Sequence, residues 1–133
     1  MITVTNTINA SIEKVWKFWT TPEHITKWNN ASPDWHSPFA ENDLTVGKRF
    51  RYTMAAKDGS MSFDFEGTYT NIEKNTSIEY VLDDNRKVHI TFEKTENGIK
   101  VIESFDPENE NTEELQKNGW QAILDNFKKY VEL

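Results

Sequence analysis

Apolar and polar residues alternate along six separate segments of the chain. The first segment holds Ile2, Val4 and, after a polar stretch, Ile8. The other five are centred on residues 50–54, 61–69, 78–82, 88–92 and 99–105. Because successive side chains of a strand point to opposite faces, this alternation predicts six strands, each with one apolar face.

Turn residues separate the last five of these strands. Asn97-Gly98 is the strongest hairpin signal, because both residues tolerate positive φ angles. Gly67 has a different position, within the aromatic face of its strand, and it predicts a bend or a close contact there.

Helical periodicity replaces alternation in three places. Ile12, Val15, Trp16 and Trp19 form one apolar stripe after the first strand, and Thr21-Pro22-Glu23 begins a second short helix. The apolar side of a longer C-terminal helix consists of Trp120, Ile123, Leu124, Phe127 and Val131. The chain therefore ends in its only long helix.

Residues 29–43 show neither period. Pro33 and Pro38 interrupt this stretch, which also contains Trp35 and Phe39. We expect a loop of about 15 residues, a length that is often functional. Its two aromatic side chains should fold back onto the body of the protein or over an opening.

The order of elements predicts a single α+β domain over residues 1–133. A six-stranded antiparallel sheet needs a cover for its apolar face, and the C-terminal helix has the matching stripe. A strongly twisted sheet curls around such a helix and leaves space that side chains or a ligand must fill. We therefore predict a curved sheet around a long helix, with two short helices after the first strand.

Large rings make a cavity plausible, since aromatic residues make up 13% of the chain. A solid core that happens to be aromatic is the alternative reading of the same composition. The predicted ligand-binding residues are Trp35, Phe50, Tyr52, Met54, Phe63, Phe65, Tyr80, Glu103, Phe105, Trp120, Ile123 and Phe127.

Glu103 is the exception in this apolar set. The alternation through Val101 and Phe105 points its side chain inward. An enclosed carboxylate must be paired, hydrogen-bonded or shifted in pKa. It could orient a ligand's hydroxyl group or act as an acid or base. Alternatively, a bulge turns it outward, or Arg51, a Tyr or a Trp satisfies it structurally.

Net charge and composition limit the partners. The formal charge is −7 with a pI near 5.0, and the Lys and Arg residues are scattered, which argues against nucleic acid and anionic membranes. The chain has no Cys, no apolar run long enough to insert in a membrane and no secretory signal pattern. We expect a cytoplasmic protein.

Motifs for cofactors, metals and nucleophilic catalysis are missing from the sequence. His24, His36 and His89 have no metal-ligand spacing, and there is no GxSxG or GxGxxG. We therefore assign no cofactor, no metal site and no catalytic residue.

Several segments together resemble the family related to the heat shock protein 90 ATPase activator homologue. They are ASIEKVW (10–16), TPEHI (21–25) with Trp28, FEGTY (65–69), ESFD (103–106) and QKNGWQAIL (116–124). This family belongs to the START-like, or helix-grip, superfamily of lipid carriers, plant pathogenesis-related proteins and polyketide cyclases. The resemblance implies a helix-grip fold with a hydrophobic cavity, and Glu103 and Trp120 match positions that family members commonly show.

Three functions are compatible with this resemblance, because the superfamily shares a container more than a reaction. The first is binding of a small hydrophobic molecule, lipid-like, aromatic or polyketide-like, with a stress response as one expected setting. The second is a polyketide cyclase-like enzyme that uses Glu103 or His36 as acid–base groups. The third is an interaction with a chaperone.

Overall fold

The computed structural model describes all residues, Met1–Leu133, and contains seven strands and three helices. In chain order these are β1 (Ile2–Ile8), α1 (Ile12–Thr20), α2 (Pro22–Trp28), β2 (Trp35–Asn42), β3 (Arg49–Ala56), β4 (Ser62–Glu73), β5 (Ser77–Leu82), β6 (Lys87–Thr95), β7 (Gly98–Phe105) and α3 (Glu113–Val131). None of the helices has the length and apolar character needed to cross a bilayer.

All strands belong to one antiparallel sheet in the order β1-β7-β6-β5-β4-β3-β2. The first strand of the chain thus pairs with the last, from Ile2 opposite Phe105 to Ile8 opposite Ile99. The sheet curls around α3, and α1 and α2 close one end of the groove. The α+β architecture predicted from the periodicities, a curved sheet around a long C-terminal helix, is confirmed, and it is the helix-grip fold that the resemblance implies.

The strand count needs a correction from six to seven. Trp35–Asn42, predicted as loop, is the edge strand β2 and pairs with β3. Its register shifts between His36 and Phe39, around Pro38, so the alternation that identifies a strand is lost. Edge strands tolerate such a bulge and a proline because one side of the strand carries no ladder hydrogen bonds.

Helix α3 follows the N-cap residue Thr112, and its two halves pack differently. The Thr112 side chain caps it by accepting a hydrogen bond from the Leu115 N–H at 3.1 Å. In the C-terminal half Leu124, Phe127 and Val131 are fully buried in the core. In the N-terminal half Leu115 is exposed and Trp120 is only half-buried. This difference leaves a space beside the middle of the helix, at Trp120 and Ile123.

Gly67 lies where β4 crosses the ring of Phe50, its cross-strand partner. A Cβ atom built on Gly67 would lie 2.6 Å from the Val81 carbonyl oxygen and 3.1 Å from the Phe50 ring. Both distances are shorter than a normal contact, so the close approach predicted at this glycine is confirmed.

We expect Gly67→Ala to destabilise the protein by about 1–3 kcal/mol, the usual cost of forcing an extra group into a packed site. Urea unfolding would measure the change. Gly119→Ala is the matched control: the added methyl group on α3 meets no atom within 4 Å. It should stabilise the helix by up to about 1 kcal/mol. Equal effects of the two substitutions would contradict the contact described at Gly67.

Candidate functional site

A cavity of about 160 Å³ lies between the sheet, the C-terminal ends of α1 and α2, and the N-terminal half of α3. Hydrophobic side chains make up 11 of its 14 lining residues. The lining consists of Trp19, Thr20, Trp28, Asn29, Tyr52, Met54, Phe63, Phe65, Tyr69, Ile78, Tyr80, Glu103, Trp120 and Ile123. The interior is therefore not filled solidly by rings, which was the alternative reading of the composition.

Aromatic rings hold one another in place around this space. Trp120 stacks on Phe105 with ring centroids 3.8 Å apart, and its edge meets Phe65 at 5.9 Å. On the opposite wall Trp19 and Trp28 lie 4.9 Å apart, and both pack edge-on against Phe127. Such contacts fix the ring orientations, so the walls are largely preformed.

Most of the residues predicted to bind a ligand line the cavity. They are Tyr52, Met54, Phe63, Phe65, Tyr80, Glu103, Trp120 and Ile123. The inward alternation of β3, β4, β5 and β7, together with the stripe of α3, explains why these residues meet. Whether they bind a ligand remains a prediction.

Four other predicted residues do not line the cavity. Phe50, Phe105 and Phe127 point inward as predicted, but each is fully buried in the core behind the lining. Trp35 lies on β2 near Phe63, with ring centroids 6.0 Å apart, outside the lining. Periodicity predicts the face of a strand or helix on which a side chain lies, but not its depth. For this reason the three phenylalanines were predicted as ligand residues although they lie in the core.

Six lining residues were not predicted as site residues: Trp19, Thr20, Trp28, Asn29, Tyr69 and Ile78. Trp19 and Trp28 were recognised as apolar positions of α1 and α2, and their size was the one available signal. Thr20 and Asn29 follow them at the helix ends. There the Thr20 hydroxyl donates to the Trp16 carbonyl at 2.8 Å and the Asn29 amide donates to the Met54 sulfur at 3.4 Å.

Glu103 points into the cavity and is only 6% exposed. It pairs with Val4 on one side and Ile90 on the other, and no register shift interrupts β7. The bulge considered from the sequence is therefore absent. Arg51, the other considered partner, lies 3.4 Å from Glu41 instead.

Burial alone raises the pKa of Glu103 to about 8, with no hydrogen bond or neighbouring cation to oppose it. A group with this pKa is mostly protonated at neutral pH. The side chain is thus an uncharged carboxylic acid in the empty cavity, with no partner within the protein.

Three tyrosines contribute the other titratable groups of the lining. Burial raises the pKa of Tyr52 and of Tyr80 well above the usual value, and the nearby Glu103 adds to the rise at Tyr80. Burial also raises the pKa of Tyr69, whose hydroxyl accepts a hydrogen bond from the Asn42 amide at 3.3 Å. All three remain neutral phenols, so the cavity carries no charge at pH 7.

No Lys, Arg or His lines the cavity. His36, the second acid–base candidate of the cyclase hypothesis, is exposed on β2. His24 bonds to the Tyr130 hydroxyl at 2.7 Å and stacks on Phe18. The structure brings no three His, Cys, Asp or Glu residues together in a way that could hold a metal ion.

Comparison with known proteins adds the following. The model of the family described as Activator of Hsp90 ATPase homolog 1-like protein matches residues 9–132. The solution structure of an AHSA1-like protein from Aeromonas hydrophila is 48% identical with a TM-score of 0.92, over 98% of this chain and 91% of that one.

A Cytophaga hutchinsonii protein is 57% identical with a TM-score of 0.86, over 98% of this chain and 91% of that one. A Chromobacterium violaceum protein shares the fold with a TM-score of 0.84 at 20% identity, over 99% and 97% of the two chains. No protein with a curated functional description matches.

Proposed function

The chain belongs to the Activator of Hsp90 ATPase homolog 1-like protein family, and from this premise we propose that it binds a small, largely apolar molecule in the cavity between the sheet and α3. The observation that carries this proposal is the aromatic-lined space itself. Enclosed apolar pockets with a few convergent polar groups are the usual form of small-molecule sites. Binding requires nothing beyond this container, whereas a reaction would also require a substrate whose reacting atoms lie within hydrogen-bond reach of Glu103 or a tyrosine.

The volume limits the size of the ligand. An engineered apolar cavity of about 150 Å³ accepts benzene, so the 160 Å³ cavity here is suited to a molecule built on one ring. Phe63 lines the cavity but is 51% exposed, so it forms the rim through which a ligand would enter. A longer ligand would extend past this rim into solvent.

We expect toluene to bind saturably with one site per chain, because it fits the volume and the apolar lining. Isothermal titration calorimetry would measure the affinity. Naphthalene should bind no more tightly than toluene, since its second ring would extend past the rim into solvent and would bury little additional apolar surface.

Ile123→Trp tests the location of the site, because the larger side chain would project from α3 into the cavity. It should abolish toluene binding. Leu115→Trp is the matched control on the same helix, at a position that is 58% exposed and outside the lining, and it should bind toluene normally. Unchanged binding by the folded Ile123→Trp protein would place the ligand elsewhere and overturn the proposal.

A further inference from the structure

Building on the proposed function, we infer that the preferred ligand is a small lipophilic cation, an ammonium or pyridinium group on an apolar body, whose charge pairs with Glu103 among the aromatic rings of the cavity. Three features of the lining lead to this inference: an unpartnered carboxyl group, a high density of ring faces, and the absence of any basic side chain.

The unpartnered carboxyl group is the first feature. Glu103 is more than nine-tenths buried, points into the cavity and has no partner in the protein. An amide or a hydroxyl group could hydrogen-bond a neutral ligand equally well, without the free-energy cost of burying a group that can ionise. What a carboxyl adds to an amide is its ability to become an anion, and a cationic ligand would stabilise that anion by direct pairing.

The ring faces are the second feature. Eight aromatic residues line the space: Trp19, Trp28, Tyr52, Phe63, Phe65, Tyr69, Tyr80 and Trp120. The face of an aromatic ring is electronegative, and cages of such rings recognise organic cations. Three of the eight are indoles, the rings that attract cations most strongly. The same walls also receive the apolar body of the ligand.

The charges around the cavity are the third feature. Without Lys, Arg or His in the lining, an anionic ligand such as a fatty acid would find no counterion. The titratable groups that line the cavity with Glu103 are Tyr52 from β3, Tyr69 from β4 and Tyr80 from β5, all neutral phenols, and Tyr80 is the one whose pKa Glu103 affects. The net charge of −7 also attracts cations to the protein at long range.

Cation binding must then be coupled to proton release. The pKa of Glu103 is about 8 in the empty cavity, so its proton leaves when a cation pairs with the carboxylate. The affinity for a permanently charged ligand should therefore rise close to tenfold from pH 6 to pH 7 and level off above pH 8. A neutral ligand of the same shape should show no such rise.

N-methylpyridinium and toluene make the comparison, because they have the same shape and differ by one charge that does not titrate. Calorimetric titrations at pH 6, 7 and 8 should show N-methylpyridinium binding at least tenfold more tightly than toluene at pH 8. If toluene binds and N-methylpyridinium binds equally tightly or more weakly, this inference is overturned and the proposed function is left intact. If neither compound binds, both are overturned.

Glu103→Gln tests the residue itself. It should remove the pH dependence of N-methylpyridinium binding and lower the ratio of N-methylpyridinium affinity to toluene affinity at least tenfold at pH 8. Glu66→Gln is the matched control, because it removes the same charge from the outer face of β4, where Glu66 lies 3.7 Å from Arg49. A similar loss in both variants would mean that net charge alone attracts the cation, and would overturn the pairing with Glu103.

Discussion

At pH 9 the Glu103→Gln protein is expected to be several kcal/mol more stable than the unsubstituted protein, whereas at pH 4 the two should be nearly equal. The reason is the buried carboxyl group of β7, whose pKa is about 8 in the folded chain against 4.5 for an exposed glutamate. Glutamine has nearly the same shape and cannot ionise.

The sign follows from which state holds the proton. Between pH 4.5 and pH 8 the folded protein keeps a proton on Glu103 that the unfolded chain releases. The stabilisation from this group is complete below pH 4.5 and is lost as the pH rises through 8. The difference between these two pKa values corresponds to a loss of about 5 kcal/mol of unfolding free energy over the full pH range.

Urea unfolding of both proteins from pH 4 to pH 9 would measure this difference, and subtracting the two curves removes the titration of all other groups. Glu66→Gln on the outer face should follow the unsubstituted protein closely, because an exposed ion pair contributes about 0–1 kcal/mol. Parallel curves for Glu103→Gln and the unsubstituted protein would show that the carboxyl group is not enclosed.

Phe127→Ala is expected to cost about 3–5 kcal/mol of unfolding free energy, the typical loss for a large ring in a core. Phe127 is fully buried and supports the two tryptophans of the cavity wall, at 4.8 Å from Trp28 and 4.9 Å from Trp19. Its removal would leave a void beneath both rings.

Phe63→Ala is the matched comparison for the loss of unfolding free energy in Phe127→Ala. Both phenylalanines were predicted as ligand residues, but Phe63 is 51% exposed at the rim. Its removal should cost about 1 kcal/mol, because only about half of its surface is taken from water. Thermal or urea unfolding would compare the two, and similar losses would contradict the distinction between core and lining.

Sequence patterns predicted the direction of side chains well and their depth poorly. Alternation alone placed Tyr52, Tyr80 and Glu103 inside the sheet, since a strand offers only two faces. It could not separate Phe105, buried behind Trp120, from residues that reach the open space. That distinction depends on how far α3 stands from the sheet, which no local period encodes.

The elements missed by the sequence analysis have local causes. β2 lost its alternation at the bulge beside Pro38. Trp19 lies on a helix whose stripe faces both the core and the cavity, so its period predicts burial without saying against what. The cavity volume could not be predicted from the sequence either, because 160 Å³ is a small difference between the space that the sheet and helices enclose and the volume of the side chains within it.

The pairing of β1 with β7 has a consequence for how the protein is made. Ile8 finds its partner at Ile99, some ninety residues further along the chain. On the ribosome the first strand must therefore wait, unpaired, until nearly the whole polypeptide has emerged. At about 5–20 residues per second this delay lasts roughly 5–20 s. Such distant pairing also slows spontaneous refolding, because the chain loses the entropy of closing a long loop before the contacts between the two strands stabilise it.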